Sequence, residues 1–315
     1  MAAMSIRVPS LRWPARLAVA AVLGVLLLRF GAGPFVAGLQ RLTGFAVLVA
    51  LGLTAVATVA SAWRWSLVSR AMGSPLPLRT AISSYYRSQL LNSVLPGGVT
   101  GDVERGLRST GVPGRRLHGL RVVAWDRGSA QIVQLAVLAA VLLGSPGPLR
   151  LVGAVVAVVL GAVIAGSLVV GRSAPRRSGG RAARAVASFR QDLQRLAGRP
   201  GTVLAVVGAS VIVVLLHASV FVLAAVVTGG SFDPVRLLPL ALAVQAAMAI
   251  PVGLGGLGPR EGMAAVVFAG AGLGAAQGVT AAIAYGALAL IAVLPGVIPL
   301  ALTHRHRRAR EGATG

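Results

Sequence analysis

The chain is 315 residues long, 56% hydrophobic and only 12% charged, which excludes a soluble globular domain, whose surface would need far more charge. Its basic residues are all Arg, 30 against seven acids for a formal charge of +23. They cluster between apolar runs, which points to a membrane and away from nucleic acid. The absence of Cys rules out a disulfide framework, thiol chemistry and a Cys-based metal site.

Taken in order, residues 1–16 form a basic leader, with Arg7, Arg12 and Arg16 ahead of an apolar run over 17–28. That order fits the n- and h-regions of a signal peptide. With several spans downstream, it reads as an uncleaved first transmembrane helix. The second span covers 43–62 and ends at Trp63-Arg64-Trp65, an interfacial anchor. Residues 79–98 are helical in character but too polar to face lipid. If they crossed, Arg105, Arg108, Arg115, Arg116 and Arg121 would lie opposite Arg64, Arg70 and Arg79, against the positive-inside bias. The segment is therefore expected to re-enter, as a broken element over 79–101, and return to its own side.

Further spans follow at 128–143, 149–170, 202–228 and 235–250. A short one at 262–277 comes after a second broken element over 250–262, and the last covers 280–302. The fold class is an all-α integral membrane protein of about eight transmembrane helices. It forms one domain over 1–302, followed by a short basic tail over 303–315, with both termini cytoplasmic. Arg29, Arg41, Arg150 and Arg236 then face outward and the remaining Arg face the cytoplasm. The Arg-rich cytoplasmic loop 172–199 sets Val186, Phe189, Leu193 and Leu196 at helical spacing, with Arg181, Arg184 and Arg190 off that stripe. Two readings stand: an amphipathic helix on an anionic leaflet, or a solvated linker whose charges only set topology.

The organising stretch is Leu90-Leu91-Asn92-Ser93-Val94-Leu95-Pro96-Gly97-Gly98-Val99-Thr100-Gly101-Asp102-Val103-Glu104-Arg105. A polar, helix-breaking run in a membrane protein needs shielding by protein or water, and its charges suggest function. Its frame Pro96-x-Gly98-x-x-Gly101-x-x-x-Arg105 recurs as Pro251-x-Gly253-x-x-Gly256-x-x-x-Arg260. Matched breaks in two parts of a chain commonly mark a transporter's substrate site. Glycines let a ligand approach the main chain, a helix start favours anions, and Arg105 and Arg260 offer forks suited to phosphate. On that reading neither Arg packs a core. The bland alternative makes Asp102 an N-cap and the Arg topology charges; for the second break, Pro259 suits a first helical position and Glu261 the helix dipole. Asp126-Arg127 reads as an interfacial ion pair or a site acid. His217 reads as a hydrogen-bonding partner or a proton relay. Four His, two of them in the tail, make no metal site, and no nucleophile motif or nucleotide fingerprint is present.

At these motifs the chain resembles the lysylphosphatidylglycerol synthase transmembrane-region family of flippase-like membrane proteins. That family's pattern is approximately N-x-x-L-P-G-G-x-G-G-D-x-x-R, then a D/E-R pair, then P-x-S-x-G-G-L-G-x-R-E. Asn92, Leu95, Pro96, Gly97, Gly98, Gly101, Asp102 and Arg105 fit the first part, and Asp126-Arg127 fit the second. Pro251, Gly255, Gly256, Leu257, Gly258, Arg260 and Glu261 fit the third. Thr100, Gly253 and Pro259 depart from it where Gly, Ser and Val are usual. The resemblance implies a multi-pass protein of the plasma (inner) membrane with re-entrant elements. In bifunctional relatives this region moves aminoacylated phospholipid between leaflets after a soluble domain makes it, and here that synthase domain is expected to be absent.

The leading expectation is a flippase or carrier for a phospholipid or polyprenyl-linked lipid, with no enzymatic activity, no cofactor and no metal. The matched residues from Asn92 to Arg105, with Asp126, Arg127, Pro251, Gly255, Gly256, Gly258, Arg260 and Glu261, would line the headgroup path. Two alternatives stand beside it. One is an accessory membrane protein that docks a lipid- or glycan-modifying enzyme; the other is an intramembrane transferase using Asp102 and Glu104.

Overall fold

A computed structural model describes residues 21, 23–95, 98–109, 116–145, 149–173, 181–229, 233–249 and 256–301, and among these the chain is helical without a strand. In order the helices are α1 Leu23–Phe30, α2 Gly33–Gln40, α3 Gly44–Ala71, α4 Leu78–Val94, α5 Thr100–Ser109 and α6 Arg116–Leu143. They continue as α7 Leu149–Ser173, α8 Arg181–Ala197, α9 Pro200–Val227, α10 Pro234–Met248, α11 Pro259–Gly270 and α12 Ala275–Val293.

Among the described residues, five helices are long and apolar enough to cross a membrane: α3, α6, α7 over Leu149–Val170, α9, and α12 extended as Ala275–Ala301. The pair α1 and α2, bent by 96°, adds a sixth if counted as one span. The all-α membrane class stands, but among the described residues the count falls short of the expected eight. Two expected crossings, α10 and α11, have 15 and 12 residues. At 1.5 Å per residue they reach about 22 and 18 Å, short of a hydrocarbon core of roughly 30 Å.

Two boundaries also move. The second span does not stop at Trp63-Arg64-Trp65, because α3 runs on to Ala71. The third does not open at 128, just past Asp126-Arg127, because α6 starts at Arg116. Both expectations placed a span end at a charge, and in both the helix carries the charge inward.

The chain divides into two compact units. One comprises Met1–Thr54, Tyr86–Asp102 and Ala218–Gly315; the other comprises Ala55–Tyr85 and Val103–His217. The second unit has a core of Trp65, Val68 and Met72 from α3, Tyr85 from α4, Val122 from α6 and Val206 from α9. α7 leans on α6, with Gly153 against the Leu142–Leu143 backbone, and only 6% of its most apolar stretch is buried. That leaves most of it for lipid.

The loop 172–199 does contain a helix, α8, and its apolar stripe is half-buried against the protein. Phe189 stacks on Trp125 of α6 at 5.1 Å between ring centroids, and Leu196 packs on the unit's core. Asp192, 1% exposed, accepts hydrogen bonds from Arg121 Nε at 2.9 Å and Trp125 Nε1 at 3.2 Å. An acid clamped to α6 and a ring stacked on it dock α8 on protein, which overturns the solvated linker.

In the first unit, Leu26, Ala265 and Val279 form a cluster edged by Phe30, Phe35 and Ile283. Phe221 of α9 meets Phe268 of α11 and Tyr285 of α12. Asp233 caps α10 by accepting from Val235 N at 2.9 Å, with Pro234 at the first position, where a missing N–H costs nothing. Arg41, expected as an outward topology charge, donates to the Thr228 carbonyl just past the end of α9.

Candidate functional site

The first motif folds as helix, break, helix. The polar run over 79–94 makes α4, the break follows, and Gly98 takes φ +61°, a conformation that suits glycine. At the start of α5, the Asn92 side chain works in both directions. Its Oδ1 accepts from Gly101 N at 2.7 Å and its Nδ2 donates to Asp102 Oδ2 at 2.9 Å. Ser88 Oγ donates to Asp102 Oδ1 at 3.1 Å. Gly101 is required by closeness, since a Cβ there would meet the Ser88 carbonyl. Asn92, Gly101 and Asp102 are therefore ties that fold α5 back on α4. Pro96 and Gly97 lie outside the described residues.

One turn further along α5, Arg105 enters the second unit. Its side chain is fully buried, and its guanidinium lies over the rings of Trp65 at 4.4 Å and Tyr85 at 4.2 Å. Both terminal nitrogens donate to the same oxygen, Asp126 Oδ2, at 3.2 and 3.1 Å. Asp126 is also held by Arg64, whose Nε donates to Oδ1 at 2.9 Å. The other Arg64 nitrogens donate to Ser210 Oγ at 3.3 Å and Tyr85 Oη at 3.1 Å. Tyr85 Oη in turn donates to Asp126 Oδ2 at 3.2 Å. One carboxylate thus serves two guanidiniums, inside helices long enough to cross a membrane. Asp126 is fully buried in α6, while Arg127 is on the exposed side of that helix.

The second motif repeats the arrangement in the first unit. Gly256 (φ +85°) and Gly258 (φ +96°) close the break, with Gly256 against Met248. Glu261 Oε2 accepts from Gly258 N at 2.7 Å, capping α11. Glu261 Oε1 accepts from Arg260 Nε at 2.9 Å and Nη2 at 2.6 Å. Arg260 lies 5.8 Å from the Tyr285 ring centroid and flat against Gly286, where a Cβ would strike it. Arg105 and Arg260 are 1% and 4% exposed, so the expectation that neither packs a core is overturned. Pro251 and Gly255 lie outside the described residues.

The sequence missed Arg64, Trp65, Tyr85 and Ser210 in the second unit, and Ser88, Tyr285 and Gly286 in the first. For Arg64 a signal existed: a lone cation in a run otherwise uncharged from Gly44 to Val68. Lone intramembrane charges face protein.

With its described residues helical, five helices of membrane length and buried Arg–carboxylate pairs, the chain is a multi-pass membrane protein. The family described as lysylphosphatidylglycerol synthase TM region matches residues 13–296, and the chain belongs to that family. No curated protein and no solved structure matches it.

Proposed function

We propose that the chain is a carrier, not an enzyme, that moves a lipid with a phosphate-bearing headgroup across the inner membrane. One observation supports this best. Two helix breaks of matching sequence each lead into a short helix that buries an Arg on a carboxylate, Arg105 on Asp126 and Arg260 on Glu261. Buried ion pairs are costly to assemble, and within membrane-embedded protein they commonly line substrate paths.

The proposed topology has six crossings, α1 with α2, α3, α6, α7, α9 and α12, and both termini in the cytoplasm. The α4–α5 hairpin re-enters from the cytoplasmic face and the α10–α11 hairpin from the outer face. This keeps Arg70, Arg79, Arg108 and Arg116 on the cytoplasmic side, as the positive-inside bias asks.

The test is lipid transfer in reconstituted vesicles. Arg105→Lys and Arg260→Lys keep a cation but lose the fork, and each is expected to slow transfer roughly tenfold, the scale of a charge-assisted contact of about 1.5–3 kcal/mol. The Lys variants are the informative ones, because they keep a cation at each position, whereas Arg260→Ala would leave the buried Glu261 carboxylate without its cation. Transfer at the unaltered rate by both Lys variants would remove the guanidinium from the mechanism.

A further inference from the structure

The two arginines on Asp126 are not equivalent. Arg64 uses three nitrogens on three separate partners, one straight to Asp126 Oδ1 and the others to Ser210 and Tyr85. It is pinned from α4, α6 and α9 at once. Arg105 instead turns both terminal nitrogens onto the single oxygen Oδ2, at 3.1–3.2 Å, and shares it with Tyr85 Oη. Asp126 thus presents Arg105 with one edge, whereas a phosphate would present two oxygens to the same fork.

What Arg105 would leave behind also differs. If it withdraws, Asp126 keeps Arg64 on Oδ1 and Tyr85 on Oδ2, so that carboxylate is not stranded. If Arg64 withdrew, the carboxylate would lose its shortest bond, and Ser210 and Tyr85 would each lose a donor. A second, independent feature lies beneath Arg105. The indole Nε1 of Trp65 is buried and has no hydrogen-bond partner, although buried polar groups are almost always satisfied. It belongs to the ring on which the Arg105 guanidinium lies.

We infer that Arg105 is an exchangeable cation: it trades Asp126 for the phosphate of a lipid headgroup, Arg64 stays on Asp126, and the Trp65 indole N–H takes up an oxygen of the same headgroup. This rests on the lipid-carrier reading and adds which groups move and which stay. Because the Arg105 side chain is fully buried, the exchange requires α5 to shift. α5 is a ten-residue helix that follows a glycine break, whereas α3, α6 and α9 each have 28 residues.

The absence of native Cys makes the test direct. Nitroxides on Val103→Cys of α5 and Leu143→Cys of α6, both exposed, report the distance between the two helices in the full chain in vesicles. Phosphatidylglycerol is expected to change that distance by roughly 1–5 Å, the range of helix shifts and one-turn ratchets. Diacylglycerol, which lacks the phosphate, is expected to leave it unchanged. Arg105→Lys should weaken the phosphatidylglycerol response about tenfold in lipid concentration. Trp65→Phe, which keeps a ring but deletes the donor, should weaken it about fivefold.

An unchanged distance in protein that still transfers phosphatidylglycerol would refute the exchange and leave the carrier reading standing. An equal response to diacylglycerol would remove the phosphate from it. A Trp65→Phe response at the unaltered lipid concentration would refute the role of the indole. If the unsubstituted chain transfers no lipid at all, the carrier reading itself fails, and this inference with it.

Discussion

Arg64 is the residue on which the second unit depends most, because its guanidinium joins α3 to three other helices. Arg64→Met leaves Arg105 and Tyr85 on Asp126 Oδ2 but strips Oδ1 of its donor and takes one each from Ser210 and Tyr85, and an unsatisfied buried acceptor costs about 1–3 kcal/mol. Arg64→Met is therefore expected to lower the melting temperature in detergent more than Arg105→Lys does. Arg105→Lys keeps a cation on Asp126, and Arg64 and Tyr85 still hold both carboxylate oxygens. Equal melting temperatures for the two variants would contradict the fixed role given to Arg64. The sequence made Arg105, Asp126, Arg260 and Glu261 legible as motif residues, because charge stands out against an apolar background. It did not reveal their partners. Tyr85, Trp65 and Ser210 are ordinary residues at ordinary helical positions, and only packing brings them to the charges. For the same reason burial was misjudged: an Arg next to Trp looks like an interfacial anchor until a carboxylate from another helix turns out to meet it.

Among the elements, α8 shows how far periodicity carries. The stripe of Val186, Phe189, Leu193 and Leu196 correctly announces a helix with one apolar face. Periodicity cannot say whether lipid or protein covers that face. The decisive residue is Asp192, an acid in an Arg-rich loop, which at 1% exposure belongs to a packed contact. Asp192→Ala removes the acceptor for both Arg121 and Trp125. Losing a hydrogen-bonded charge from a buried position typically costs about 1.5–3 kcal/mol, here reduced because Arg121 is partly exposed. The helix is expected to undock: trypsin should cut after Arg184 and Arg195 faster than in the unsubstituted chain, and Trp125 fluorescence should shift to the red. Unchanged cleavage would mean that Phe189 and Leu196 suffice to hold α8. The broken elements were legible from their glycines and prolines. Their geometry was not, because Asn92 reaches across the break to Gly101 and Asp102, nine and ten residues on, a contact no helical or strand spacing contains.

At the scale of the whole molecule, hydropathy gave the membrane class and the spans of α7 and α9 to within two residues, but not the number of crossings. A run such as 235–250 is apolar enough to count as a span, yet glycine and proline end its helix at Met248, and the next helix has only 12 residues. Six and eight crossings put the termini on the same side, so terminal reporters cannot separate them. The break before α11 can. With eight crossings it is a cytoplasmic loop, open to water on that side. With six it is the tip of a hairpin entering from outside, in a place where irregular backbone must be shielded by protein. Leu257 sits in this break, half-buried beside Gly258, and the chain supplies no competing thiol. Leu257→Cys is therefore expected to resist a membrane-impermeant maleimide applied from the cytoplasmic side of inverted vesicles. Leu117→Cys, at the exposed start of α6, should react there and confirms that the side is accessible. Rapid labelling of Leu257→Cys from the cytoplasm would restore the eight-crossing count. It would also place both glycine breaks on one face, and the two motifs would then have to meet the same leaflet rather than opposite ones.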